Sequence, residues 1–331
     1  MIESPEDIGR GPQNLGSKKV SFLRKLLEDY GIALLLIFAL IIIPLFNPRF
    51  LSLGNIINLS RQIVPSGFIA LGAMFVLIGR GLDLSAGVGA TMVGAIMGIL
   101  FFYTENIFLS ILIGLSAGLF IGLINGMLIS RLNFNAVIAT LAMMTILQGG
   151  IQLVLAGRSL YLESRVLQYI SRGTIARIPF IFLLLIFFYL VGYFILTQTK
   201  FGVYVIAMGT NENNAKMVGI NIPWVKFATY MISSFLMGIS GIVLVSRMAL
   251  VSPAMSGFPI LLDGVSAAVI GGTSITGGKG NVWGVFLGVI FIGVIANALV
   301  FLNIPPDSQD LFRGLLIAFA LLFERLVRVK R

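Results

Sequence analysis

The chain has 331 residues, 58% of them hydrophobic and only 11% charged, with a formal net charge of +10 and a mean hydropathy of +1.02. No soluble domain of this length needs so much apolar surface, so the fold class is an all-α polytopic membrane protein. Cysteine and histidine are both absent, which removes disulfides, thiol nucleophiles, imidazole bases and the commonest zinc ligands together, and no metal site is expected.

Residues 1–30 are polar and mixed in charge, with Lys18, Lys19, Arg24 and Lys25 just ahead of the first apolar run. The long polar lead has no small-residue cleavage site after it, so it reads as a cytoplasmic tail with a short interfacial helix around 20–30, not as a secretory signal. Eight uncharged stretches follow, each long enough to cross a hydrocarbon core: 31–48, 62–79, 84–104, 106–130, 132–157, 178–199, 227–246 and 280–306. Two weaker candidates, 260–274 with Asp263 inside and 309–325 with Asp310 and Arg313, bring the expected count to ten. The transmembrane domain is thus drawn at 31–326, with a basic tail at 327–331.

Basic residues orient the chain. With the N-terminus inside, 15 Lys and Arg fall on the cytoplasmic side and 8 outside, which favours N-in and C-in. The basic residues flank apolar runs and form no stripe, so nucleic acid is not an expected partner. Four external arginines lie in 157–178, read as an amphipathic helix along the outer surface. The segment 200–226 is then cytoplasmic. Asn211 is placed to cap a short helix running to Met217, with Glu212 in its positive first turn and Gly219 ending it. Such a helix is either a handle for another protein or an ordinary connection.

Glycines crowd together at Gly271, Gly272, Gly277, Gly278 and Gly280, between two apolar runs. The spacing predicts a loop at membrane depth, the kind of break that often marks a transport path. A shift of 190 residues lays Gly81, Gly87, Gly94 and Gly98 over Gly271, Gly277, Gly284 and Gly288, a weak hint of a duplicated unit. Lys279 follows two glycines, but Thr273 and Gly280 stand where a phosphate-binding loop needs Gly and Ser or Thr, so no nucleotide site is read here.

Few residues inside the spans can carry chemistry. An aspartate at membrane depth is a functional candidate by default. Asp83, with Arg80 before it and Ser85 after it, is one; its plainer reading is a helix cap paired to Arg80. Asp263 admits the same two readings, capping being the plainer. Asn135, Thr140, Gln148 and Gln152 mark the fifth apolar stretch, the last three at multiples of four residues. They offer hydroxyl and amide partners to a polyol, or bonds to neighbouring helices, which is the commoner use. Ser233 and Ser234 read as close helix packing.

Four runs then carry a resemblance: GLDLSAGVGATMVGA at 81–95, NAVIATLAMMTILQGG at 135–150, GTNENNAKMVGINI at 209–222 and LDGVSAAVIGGTSITGGKGNVWGVFLG at 262–288. In this order and spacing the chain resembles the permease subunit of ribose-type sugar ABC importers, over roughly residues 30 to 325. The resemblance implies a multi-pass permease of the bacterial inner membrane that pairs with a second copy or a related permease. It also implies two partner ATPase chains, which bind ATP and Mg, and a soluble sugar-binding protein. This chain would bind no cofactor. The segment with Asn211, Glu212, Asn213, Asn214, Ala215, Lys216 and Gly219 would be the coupling helix that docks on the ATPase. Two departures stand out. Asn213 and Asn214 replace the usual Glu-Ala, and Asn135, Ala136 and Val137 replace a proline-led opening of the fifth span. The sugar is left open, among ribose, other pentoses, hexoses and polyols. The rival reading is an ion-coupled secondary transporter using Asp83 or Asp263. An intramembrane enzyme, lacking His, Cys and any acid pair, is the weakest.

Overall fold

The computed structural model describes residues 15–255 and 257–305, together with positions 308, 309, 311, 312, 314, 315 and 318. The described residues are mostly helical. Helix α1 (Leu15–Phe46) is continuous, so the polar residues expected to form a separate interfacial helix are its first half. Helices α2 (Leu53–Gln62) and α3 (Val64–Ile78) form one path bent by 42°. Then come α4 (Ala86–Thr104), α5 (Ile107–Ser130) and α6 (Ala136–Leu155). A small irregular region follows, holding strand β1 (Leu160–Tyr161), helix α7 (Arg165–Arg172) and a ribbon of β2 (Thr174–Ile175) with β3 (Ile178–Pro179). Helices α8 (Phe180–Gln198), α9 (Lys200–Thr210) and α10 (Glu212–Met217) lead to the 27-residue α11 (Ile222–Met248). Strand β4 (Leu250–Val251) pairs antiparallel with β1, and α12 (Phe258–Ile270) and α13 (Val282–Phe301) follow.

Local chemistry sets these boundaries. Asn106, Asn135, Asn221 and Asn281 each accept a backbone N–H of the first turn of the helix they precede, at α5, α6, α11 and α13. Among the described residues six helices, α4, α5, α6, α8, α11 and α13, are long and apolar enough to cross a membrane, seven if the bent α2–α3 pair is one span. The expected count of ten is not reached among these residues. The apolar part of α1, Gly31–Phe46, and α12 are shorter helices, while most of 309–325 lies outside the described residues.

Helix α11 is the mast of the bundle, packed on α3, α4 and α5. On α5, glycines repeat at four-residue steps, and a Cβ at Gly118, Gly122 or Gly126 would press on Val93, Ser234 or Phe227 respectively. Small residues at that spacing let helix backbones approach closely.

Two helix–turn–helix units run in opposite directions through this core. In the first, α3 ends at Ile78, residues 79–85 double back, and α4 starts part-way into the bundle. In the second, α11 ends at Met248, residues 249–257 double back, and α12 starts beside α4. Both turns open on a left-handed residue, Arg80 (φ 60°) and Ala249 (φ 50°). Three positions later each carries a side-chain oxygen that accepts the backbone N–H two residues on: Asp83 from Ser85 and Ser252 from Ala254. The starts of α4 and α12 meet at Gly87 and Gly257, where a Cβ on either would strike the other's backbone oxygen or carbon. The 190-residue glycine overlay matches helical Gly87 to Gly277 in a loop, while its other three pairs fall on like elements; by turn geometry α3–α4 also resembles α11–α12.

The crossing yields a prediction. Gly87→Leu should lower stability in mild detergent by on the order of 1–3 kcal/mol through overpacking, read as a drop in melting temperature. Gly149→Ala, at a position with nothing within 4 Å, should leave it unchanged or slightly higher. Equal melting of both variants would contradict the crossing.

Candidate functional site

Asp83 is 4% exposed and sits where the 79–85 turn enters α4. Its Oδ1 accepts from the Ser85 hydroxyl at 2.6 Å and the Ser85 N–H at 3.1 Å, and its Oδ2 from the Ser233 hydroxyl at 3.4 Å. Asn125 of α5 donates to Ser85 Oγ at 2.9 Å. The neighbouring Leu82 carbonyl accepts from Tyr230 of α11 and Thr140 of α6, each at 3.3 Å. One turn of chain thus ties four helices together. Among the described residues no Lys or Arg forms an ion pair with Asp83.

Two expectations about the acids need correction. Arg80 does not pair with Asp83. It turns away and donates to the carbonyls of Thr276 (3.0 Å) and Thr210 (2.9 Å), because its left-handed backbone points the side chain out of the bundle. Asp83 closes the turn ahead of α4, whose N-cap position is Ser85. Asp263 is not at a cap position: it lies in the middle of α12, whose N-cap is Gly257. Pro259 in the first turn starts that helix earlier than the acid suggested.

The fifth-stretch candidates divide. Asn135 is the N-cap of α6, accepting from Val137 and Ile138. Thr140 is buried and bonds to Leu82 and to its own helix at Ala136. Gln148 and Gln152 are exposed. Four-residue steps drift by about 40° each, so Gln152 sits about 120° around the helix from Thr140 and the three share no single face. Gln148 borders a cavity of about 60 Å³ with Val88, Ile151, Met255 and Gly257, where α4 and α12 begin.

The short α10 forms with the caps its sequence predicts. Asn211 Oδ1 accepts from Asn214 N–H at 3.1 Å, and Gly219 (φ 82°) reverses the chain. The Ile220 N–H bonds to the Ala215 carbonyl and the Gly219 N–H to that of Lys216, the paired closure of a glycine-ended helix. Glu212 lies 3.6 Å from Lys216 and 3.5 Å from Lys226, so it bridges α10 to α11. Ala215 is buried beneath, whereas Asn213 and Asn214 are exposed and Met217 and Val218 project with 85% and 76% exposure.

The glycine loop between α12 and α13 packs at this same end. Gly272, Gly277 and Gly278 all have positive φ, and the Gly278 N–H donates to the Ile78 carbonyl at 2.9 Å. A Cβ at Gly271 would press on Gly284, and one at Gly280 on Ile78. Sequence reasoning missed Tyr230 and took Ser233 for packing alone. The signal available was their placement on one edge of α11, one turn apart.

A bundle of apolar helices broken at two opposed turns, with a buried polar junction and a capped helix projecting from one end, is the build of a multi-pass membrane protein. Comparison with known proteins is specific: residues 55–321 match the family described as branched-chain amino acid transport system / permease component. The ribose import permease protein RbsC of Haemophilus influenzae is 33% identical over 304 residues, 91% of this chain and 93% of that one. The L-arabinose ABC transporter permease protein AraH of Azospirillum brasilense is 32% identical, over 93% of this chain and 90% of its own. RbsC of Bacillus subtilis is 32% identical over 90% and 93%. No solved structure matches. The chain belongs to this permease family, whose members are transport components and not enzymes.

The junction gives the second prediction. Asp83→Leu strands the Ser85 N–H and two hydroxyls, each costing about 1–3 kcal/mol when buried without a partner, and should lower the melting temperature clearly. Asp83→Asn keeps an acceptor oxygen and should lose much less. A Leu variant as stable as the parent would show that the junction does not hold the turn.

Proposed function

We infer that this chain is the membrane-spanning permease subunit of an ATP-binding-cassette importer, moving a monosaccharide or related polyol delivered by a soluble binding protein. The names of the aligned relatives, for ribose and L-arabinose, support that substrate class. A separate ATPase chain binds ATP and Mg and performs the hydrolysis, and a second permease copy or a related permease completes the membrane unit. The chain crosses the bacterial inner membrane about ten times with both ends inside, so α10 and the glycine loop face the cytoplasm and α7 the outside.

The observation that carries this reading is α10. A six-residue helix closed at both ends, with Met217 and Val218 exposed at its tip and Glu212 fastening it to Lys226, is built to transmit force. Flexible connections need none of those devices. Residues Asn211 to Lys216 and Gly219 then form the coupling element docked on the ATPase. On α6, Gln148 and Gln152 put amides on an outward face. An amide left in hydrocarbon without a partner costs several kcal/mol, so this face lines the solute path against the second copy, with Gln148 beside the α4–α12 crossing.

Purification of the tagged chain, expressed with its native partners, tests the reading. In mild detergent it should bring down a stoichiometric ATPase. Glu212→Lys sets three cations together on α10 and α11 and should cut ATPase recovery at least about fivefold. A chain that purifies alone would overturn the assignment, and full recovery with Glu212→Lys would remove α10 from the docking surface.

A further inference from the structure

At the α10 end, three separate pieces of backbone meet around one side chain. Arg80 Nε donates to the Thr276 carbonyl in the glycine loop at 3.0 Å. Its Nη2 donates to the Thr210 carbonyl at 2.9 Å, and Thr210 ends α9 one residue before the cap of α10. On the other side of the turn, the Ile78 carbonyl accepts from Gly278 at 2.9 Å. Glycine occupies the contacts: a Cβ at Gly209 would strike the Ile78 carbonyl, and one at Gly278 would come within 2.6 Å of Thr210 Oγ1. Arg80 holds a left-handed backbone, φ 60°, at the point where the chain leaves α3.

We propose that Arg80 is the positioning residue that couples movement of α10 to the buried junction at Asp83. This rests on the importer reading above. Thr210, Arg80 and Thr276 form one knot, in which the planar fork of a guanidinium holds two carbonyls in a fixed geometry that the single, freely rotating ammonium of a lysine does not reproduce. Three residues beyond the knot is Asp83, bonded to α4 and α11, and between them the Leu82 carbonyl holds α6 and α11. A displacement of α10 therefore reaches the start of α4 through one side chain and three residues of backbone. It does not have to pass through the packed length of α11. The glycine loop moves with it and carries the same displacement into α12 and α13. Arg80 is exposed and forms no part of the Asp83 junction or of the α10 tip, so its loss removes the link without emptying the core.

The test uses the complete transporter, ATPase and binding protein included, in proteoliposomes, with solute uptake and ATP hydrolysis measured on the same preparation. Arg80→Ala should leave hydrolysis within about twofold of the parent and lower solute moved per ATP at least about fivefold. Arg80→Lys should restore only part of that ratio. The melting temperature of the complex should barely change, which separates coupling from a general loss of structure. An unchanged ratio in Arg80→Ala, or full rescue by Lys, would overturn the proposal. Should Arg80→Ala fail to assemble, Arg80→Gln is read on the same ratio. A parent chain that recruits no ATPase would overturn the importer reading, and this proposal with it.

Discussion

Backbone N–H and C=O groups that leave a helix inside a membrane must find partners in the protein, because lipid offers none. Both breaks of this bundle are organised by that demand. At the first, Asp83 satisfies the Ser85 N–H while Tyr230 and Thr140 satisfy the Leu82 carbonyl. At the second, Ser252 serves Ala254, and β4 leans on β1. Bare glycine surfaces at Gly87 and Gly257 then let the two half-helices start in contact. A buried carboxylate is expensive; among the described residues this one has no countercharge, and three donors from two helices surround it. That arrangement holds a turn in place. It resembles a structural lock far more than an ion-binding well.

The two ends of the bundle use arginine in the same way and for different partners. At the α7 end, Arg61 donates to the Arg172 carbonyl at 2.8 Å and Arg247 to that of Gln62 at 3.4 Å, fastening the surface helix and the α2–α3 bend to the mast. At the α10 end, Arg80 gathers the glycine loop and α9. Guanidinium groups reaching backbone carbonyls demand little of the sequence they touch, so each end is tied by geometry more than by residue identity. The opposed units pass their connections to opposite ends of the bundle.

Much of this was legible in residues. Uncharged runs marked the positions of α4, α5, α6, α8, α11 and α13, because hydrocarbon thickness sets their length. Asn211, Glu212 and Gly219 marked α10 because capping is local chemistry. What stayed hidden was tertiary. Arg80 and Asp83 are three residues apart and looked like a pair, but a left-handed residue between helices sent them in opposite directions. Thr140, Gln148 and Gln152 looked like one face until helical drift was counted. Asp263 sat where a cap was wanted, yet Pro259 had already begun the helix. Gly87 and Gly257 are far apart in sequence, and no local pattern announces that they touch.

The central claim, that motion of this permease is driven from α10 by a partner ATPase and not by an ion bound at Asp83, is tested most directly by uptake in proteoliposomes. The assembled transporter should move solute only with ATP and the binding protein present, with Asp83→Asn retaining most of the rate and no dependence on a proton or sodium gradient. Uptake by the chain alone under an ion gradient, abolished by Asp83→Asn, would contradict the account and make the buried carboxylate the engine instead of the lock.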